Sequence, residues 1–184
     1  MANYGLSRPW IAKLDPVTEK YSGAFKCGEA VNTSVSPEYN EATLRGDNKE
    51  VRRKKKFKSA AVNLGVTYLP AQAGKVMFGH DVSEDNKTET SKSSDEANYV
   101  GYGFISEETQ AEGDVFVACI LHKVLFAEGE NSYNTEGENI TFATPTLSGT
   151  AAPLADGTWR TKQVFDSEEE ADQWIQEQLG VNAA

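Results

Sequence analysis

Histidine and cysteine are scarce in this sequence, with two of each among 184 residues. His80 and His122 stand in no Ser-His-Asp or Cys-His-Asn pattern, so the common nucleophilic machineries lack their central base. Cys27 and Cys119 lie far apart in a chain with no secretory signal, and read as two buried thiols rather than a disulfide. No stretch reaches the roughly 18 uninterrupted apolar residues of a membrane helix. The longest candidate, 115–127, is broken by His122 and Lys123. The N-terminus has neither an apolar h-region nor a small-residue cleavage site, which predicts cytoplasmic synthesis. Without secretion, the N-x-S/T acceptor sequences at Asn32, Asn86 and Asn139 carry little meaning.

Other chemical signatures fail in similar ways. Cys119 and His122, three apart on a strand, would point to opposite faces and could share a metal only across a bulge. His122 is read as a polar sheet residue and His80 as a loop residue. The segment Gly101-Tyr102-Gly103-Phe104 resembles a truncated glycine fingerprint, but no third glycine and no helix follow it. Glycines in a strand where a large side chain approaches closely are the better reading. Paired acids such as Glu107-Glu108 and Glu168-Glu169-Glu170 fit a turn and a helix cap. The expectation is a protein that is not an enzyme and uses no cofactor or metal.

What is present is a chain of single-domain length, 39% hydrophobic and 25% charged, apolar enough to fold. Its charge is polarised. Residues 1–58 hold 12 Lys and Arg against 7 acids, a balance of +5, whereas 59–184 hold 6 against 21, a balance of −15. A chain of this kind can associate with copies of itself, because unlike surfaces attract and like surfaces repel wrong pairings. A basic loop that is merely solvated would give the same count.

Patterning predicts a β-rich fold. Strands are expected at 7–13, 25–35, 60–69, 99–105, 115–126, 140–147 and 158–165. A turn is expected at Asp15-Pro16, an acidic turn at 107–114, and turn-rich sequence at 128–138. Residues 115–126 are apolar on both faces, as in a central strand covered on both sides. Pro70 opens a short helical segment, 70–78. Residues 81–97 are almost wholly polar and read as an exposed, mobile loop. Ser167 and Glu170 form a capping box ahead of a helix over 167–179, in which Ala171, Trp174, Ile175 and Leu179 make the packing stripe and Gly180 closes the end. The sum is a mainly β protein, an antiparallel β-sandwich or partly open barrel with a flanking C-terminal α-helix.

Residues 36–58 are too polar for a core and must project as an arm or long loop, with 46–48 at its tip. Six of the seven residues 52–58 are cationic. A nucleic-acid contact would have that charge, but only Phe57 is available for stacking and the rest of the chain is acidic. An acidic protein surface is the favoured partner, with an idle solvated loop and nucleic acid as the other readings.

Four segments carry a resemblance to a known family. They are 115–126, Val-Phe-Val-Ala-Cys-Ile-Leu-His-Lys-Val-Leu-Phe; 134–142, Asn-Thr-Glu-Gly-Glu-Asn-Ile-Thr-Phe; 144–150, Thr-Pro-Thr-Leu-Ser-Gly-Thr; and Phe165-Asp166-Ser167 leading to Ala171-Asp172-Gln173-Trp174-Ile175. In order and spacing they are similar to the major tail tube protein family of long-tailed, siphovirus-type bacteriophages of Gram-positive bacteria. The resemblance implies a β-sandwich subunit that forms hexameric rings, completes a barrel with its ring neighbours and stacks into a tube for DNA delivery. It also implies a virion-tail location after assembly in the host cytoplasm, other tail proteins at the tube ends, an acidic lumen that DNA passes without specific binding, and no membrane. A long loop between two early strands reaches the next ring in that family. Residues 36–58 hold the matching position, making Arg45, Asp47, Arg52, Arg53, Lys54, Lys55, Lys56 and Lys58 candidate inter-ring contacts, with 81–97 on the outside of the tube. The competing functions are a β-sandwich module binding carbohydrate or protein, a nucleic-acid-binding protein, and the tube protein of a contractile tail or phage-tail-like particle.

Overall fold

The computed structural model describes residues 2–47, 49–111, 113–129 and 144–181. Ten strands, β1 (Ala2–Leu14), β2 (Tyr21–Lys26), β3 (Ala30–Gly46), β4 (Lys49–Val66), β5 (Asp81–Val82), β6 (Glu89–Thr90), β7 (Tyr99–Gln110), β8 (Gly113–Ala127), β9 (Thr146–Ala151) and β10 (Arg160–Phe165), make up most of the described chain. The helical elements are a single turn α1 (Ala71–Ala73), a π-helical turn (Gly74–Phe78) and α2 (Glu168–Gln178). Eight strands form one antiparallel sheet in the order β2-β1-β7-β8-β9-β4-β3, with β10 also on β8, while β5 and β6 pair apart.

The sheet is open, and it forks at β8. Residues Phe116 to Leu121 of β8 pair with β10, and Val124 to Ala127 pair with β9. Between them β8 spends one extra residue against β7, a bulge at His122-Lys123 that bends the strand and lets the two halves of the sheet diverge. The halves then face each other. Ile11, Val100, Tyr102, Cys119 and Leu121 from one side pack with Val62, Leu64 and Leu147 from the other, and Val76, Met77 and Phe78 join the same core. The Tyr102 hydroxyl crosses this core to donate to Thr33 Oγ1 at 3.0 Å. The layers are therefore the two arms of one folded sheet rather than two separate sheets.

The opposite face of the sheet carries the second cluster, Ala12, Ile105, Ala118 and Ile120 beneath Ala171 and Ile175 of α2 and Leu179 at its C-cap. With both faces of β8 covered, its continuous apolar sequence is explained. Ser167, extended at φ −136°, accepts from the Glu170 amide at 3.3 Å and starts α2, which the left-handed Gly180 ends. The reciprocal bond of the expected capping box is not formed among the described residues.

Several sequence-based boundaries move. The strand expected over 25–35 breaks because Gly28 turns at φ +59°, and any Cβ there would run into the Tyr68 carbonyl. The acidic turn expected at 107–114 is instead ladder, since Glu107, Glu108 and Thr109 pair with β8 on one side and with the start of β1 on the other. Backbone pairing on both sides holds these polar residues in strand. Of the strand expected at 140–147, residues 140–143 lie outside the described chain, as do 130–138; 144–145 are not strand, and β9 runs over Thr146–Ala151, placed by Leu147 and Ala151 facing the core. Within 81–97, β5 and β6 form a small hairpin, and Ser83 and Asp85 bond the turn between them.

Candidate assembly surface

The projecting segment is a β-ribbon. β4 has β9 beside it only from Ala60 to Gly65, so beyond Ala60 the β3–β4 hairpin continues with no third strand among the described residues. Some ten residues at about 3.3 Å each carry it about 30 Å out from the body. The side chains described in it are exposed save Phe57 and Ser59, which are half-buried. At its tip Asp47 takes the left-handed conformation, φ +49°, and Arg45 sits in register with Glu50. Among the described residues the seventeen-residue β3 pairs with β4 alone, which leaves its other edge open there, and Pro37 fits because an edge strand needs no donor on its free side.

Cross-strand register sorts the candidate cations onto two faces. Arg52, Lys54 and Lys56 lie opposite Leu44, Ala42 and Asn40, and form no ion pair with a carboxylate among the described residues. On the other face Glu41 accepts from Arg53 at 3.0 Å and lies 3.7 Å from Lys55. Lys58, at the β4 bulge, lies 3.5 Å from Glu38. The sequence suggested one basic patch. Strand alternation makes it a row of three cations unpaired among the described residues, backed by a face on which Arg53 and Lys55 share Glu41. Exposed pairs of the second kind contribute about 0–1 kcal/mol each and hold little attraction in reserve for a partner.

The ribbon root is braced by aromatic rings. Phe57 stacks on Trp159, Tyr39 meets Phe57 edge-on at 6.1 Å, and the Arg160 guanidinium lies 4.4 Å over Trp159. The other tryptophans are also engaged. Trp174 is half-buried against Phe165, at the rim of a stripe whose Ala171, Ile175 and Leu179 are fully buried. Trp10 donates from Nε1 to Asp172 Oδ1 at 2.8 Å.

That last bond belongs to a network the sequence did not reveal. A bulge between Ser7 and Trp10 puts Arg8 at φ +52° and aims its side chain at α2. Arg8 donates from Nε to Glu168 at 2.9 Å and from Nη1 to the buried Asp172 at 2.8 Å; Ser7 and Gln176 complete the acceptors' coordination. The hydrogen bond from Arg8, followed by that from Ser7, holds the Glu168 carboxyl below the usual carboxylate range.

The remaining chemically versatile residues are placed as follows. Tyr21 donates its hydroxyl to the His122 carbonyl at 2.9 Å, so His122 Nδ1–H donates to the Tyr21 oxygen at 3.1 Å and Nε2 accepts from Thr161 at 2.7 Å. Burial pushes the His122 pKa down. Cys119 faces the main core while His122 faces the helix side, so the bulge does not unite them. Burial raises the Cys27 thiol to about 12 and the Cys119 thiol to about 11. His80, by contrast, lies beside two carboxylates. Its Nδ1 is 2.7 Å from Glu89 Oε1 and 3.8 Å from Glu128 Oε1.

The sequence matches no protein-family model and no curated protein. A solved structure similar to this chain is the cryo-EM structure of the anti-feeding prophage cap, the AFP tube terminating cap, at 9% identity over 90% of this chain and 95% of that chain, with a TM-score of 0.39. A likeness of that degree carries no functional inference.

Proposed function

We propose that this chain is a non-catalytic structural subunit of a phage tail tube, assembling with copies of itself into stacked rings, hexameric as in the family it resembles, through which genomic DNA passes without specific binding. The observation that carries this reading is the β3–β4 ribbon: a long exposed hairpin with an edge and three cations left unpaired among the described residues, on a chain whose residues 59–184 balance at −15. Arg52, Lys54 and Lys56 are the side chains we assign to an acidic surface on the next ring. Edges of β2 and β3 that are open among the described residues suit lateral pairing between neighbours in a ring. Partners at the tube ends would be other tail proteins. A carbohydrate-binding module finds less support, because Trp10, Trp159 and Trp174 are each half-buried in contacts within the chain rather than grouped on an open platform.

Electron microscopy of the purified protein at high concentration tests the assembly. Rings or tubes are expected, weakening as salt screens the ribbon. Replacing Arg52, Lys54 and Lys56 with Ser should reduce stacking far more than replacing Arg53 and Lys55. Discrete monomers under every salt condition would refute the reading, and equal effects of the two variants would refute the division of the faces.

A further inference from the structure

At one end of the core, ligand atoms from three separate elements converge. His80 leaves the π-turn with its amide donating to the Gly74 carbonyl at 3.0 Å, and its ring packs on Phe78 with centroids 5.6 Å apart. Only 8% of its side chain is exposed. Glu89, on β6, reaches the same point across Gly74, where any Cβ would collide with its carboxylate. Glu128 follows the end of β8. His80 Nδ1 and one oxygen from each carboxylate all lie within 4.8 Å of one another.

A hydrogen bond from His80 to Glu89 accounts for only part of this. Nδ1 can donate a single proton, yet the Ser91 hydroxyl at 3.3 Å and a second carboxylate approach the same nitrogen, and two like charges drawn to one point call for a cation between them, an imidazolium or a metal ion. Lys92 does not serve, because its ammonium is turned to Asp81 at 3.4 Å.

We propose that His80, Glu89 and Glu128 bind a divalent transition metal ion of the zinc class. Bonds of about 2.0–2.2 Å in a tetrahedron set neighbouring ligand atoms about 3.4 Å apart. The two distances from Nδ1, 2.7 and 3.8 Å, straddle that value, so small side-chain movements suffice. The ion displaces the Nδ1 proton, the ring takes its Nε2–H tautomer, and the two carboxylates neutralise the 2+ charge. Imidazole favours zinc, nickel or copper over calcium and magnesium, which take oxygen ligands. A fourth position remains for water or a donor from another molecule. Bound there, the ion ties the β5–β6 hairpin to the end of β8. The site is independent of the tail-tube reading.

Calorimetric titration of the full chain with zinc chloride, beside calcium chloride, tests this together with nitrogen NMR of the two imidazoles. One equivalent of zinc should bind at micromolar affinity with calcium silent, moving the His80 ring signals and sparing those of His122. His80→Gln should weaken binding at least tenfold, and so should Glu128→Gln, which keeps the His80–Glu89 bond and hence the local fold. No saturable binding below millimolar zinc would overturn the proposal. So would affinity unchanged in both variants, or a response confined to His122.

Discussion

The ring of Phe57 lies flat on the indole of Trp159, centroids 4.4 Å apart and planes 11° from parallel. One ring stands at the root of the ribbon and the other just before β10, so this contact fixes the angle at which the basic hairpin leaves the body. Trp159→Ala removes a stacked pair of about 0.5–1.5 kcal/mol together with part of a half-buried ring, and should lower stability by about 1–3 kcal/mol in urea denaturation. It should also let the ribbon open more often. Trypsin, which cuts after Lys and Arg, should then cleave within 52–58 several-fold faster than in the parent, with cleavage elsewhere little changed.

The anchoring of α2 depends on acid. The Glu168 carboxyl is held below its ordinary pKa by the Arg8 hydrogen bond and then by Ser7. Its stabilising contribution is therefore complete above the unfolded value of about 4.3 and is lost as pH falls through the lower, folded value. Glu168→Gln should be less stable than the parent at neutral pH. The gap should close as pH drops below the unfolded value, measured as urea midpoints at each pH. Asp15, Asp85 and Asp156 also have lowered pKa values, but they titrate alike in both proteins and cancel from the difference. A gap that stays constant to the acid limit would mean that the Arg8 contact does not perturb Glu168.

What could be read from sequence was what lies close in sequence. Ser167 and Glu170 are three apart, so the helix start was legible, as was the doubly covered β8 from its apolar run at 115–121. Where backbone pairing overrides side-chain polarity, as at Glu107 and Glu108, the pattern misled, because a ladder forms wherever two neighbours supply partners. Gly28 gave no sign of a turn until the Tyr68 carbonyl appeared beside it. The division of the ribbon's cations required the register with β3, which the β4 bulge shifts by a residue. Arg8 and Asp172 are 164 positions apart, and Glu128 is 48 positions from His80; no local pattern links them.

Gly101 and Gly103 are the exception, since a strand glycine announces a close neighbour without naming it. The neighbour is α2. A Cβ at Gly103 would stand 2.6 Å from Ile175 Cγ2, and one at Gly101 would stand 2.5 Å from Tyr21 Cε1 and 2.8 Å from Leu179 Cδ2. Ile175 and Leu179 are fully buried, so neither can withdraw into solvent. Gly103→Ala should lift the helix from β7 and lower stability by about 1–3 kcal/mol. Pairing it with Ile175→Leu, which takes the Cγ2 methyl off the β-carbon and so off the crowded side, should recover part of the loss; a double variant no more stable than Gly103→Ala would show that the strand, rather than the helix contact, requires the glycine.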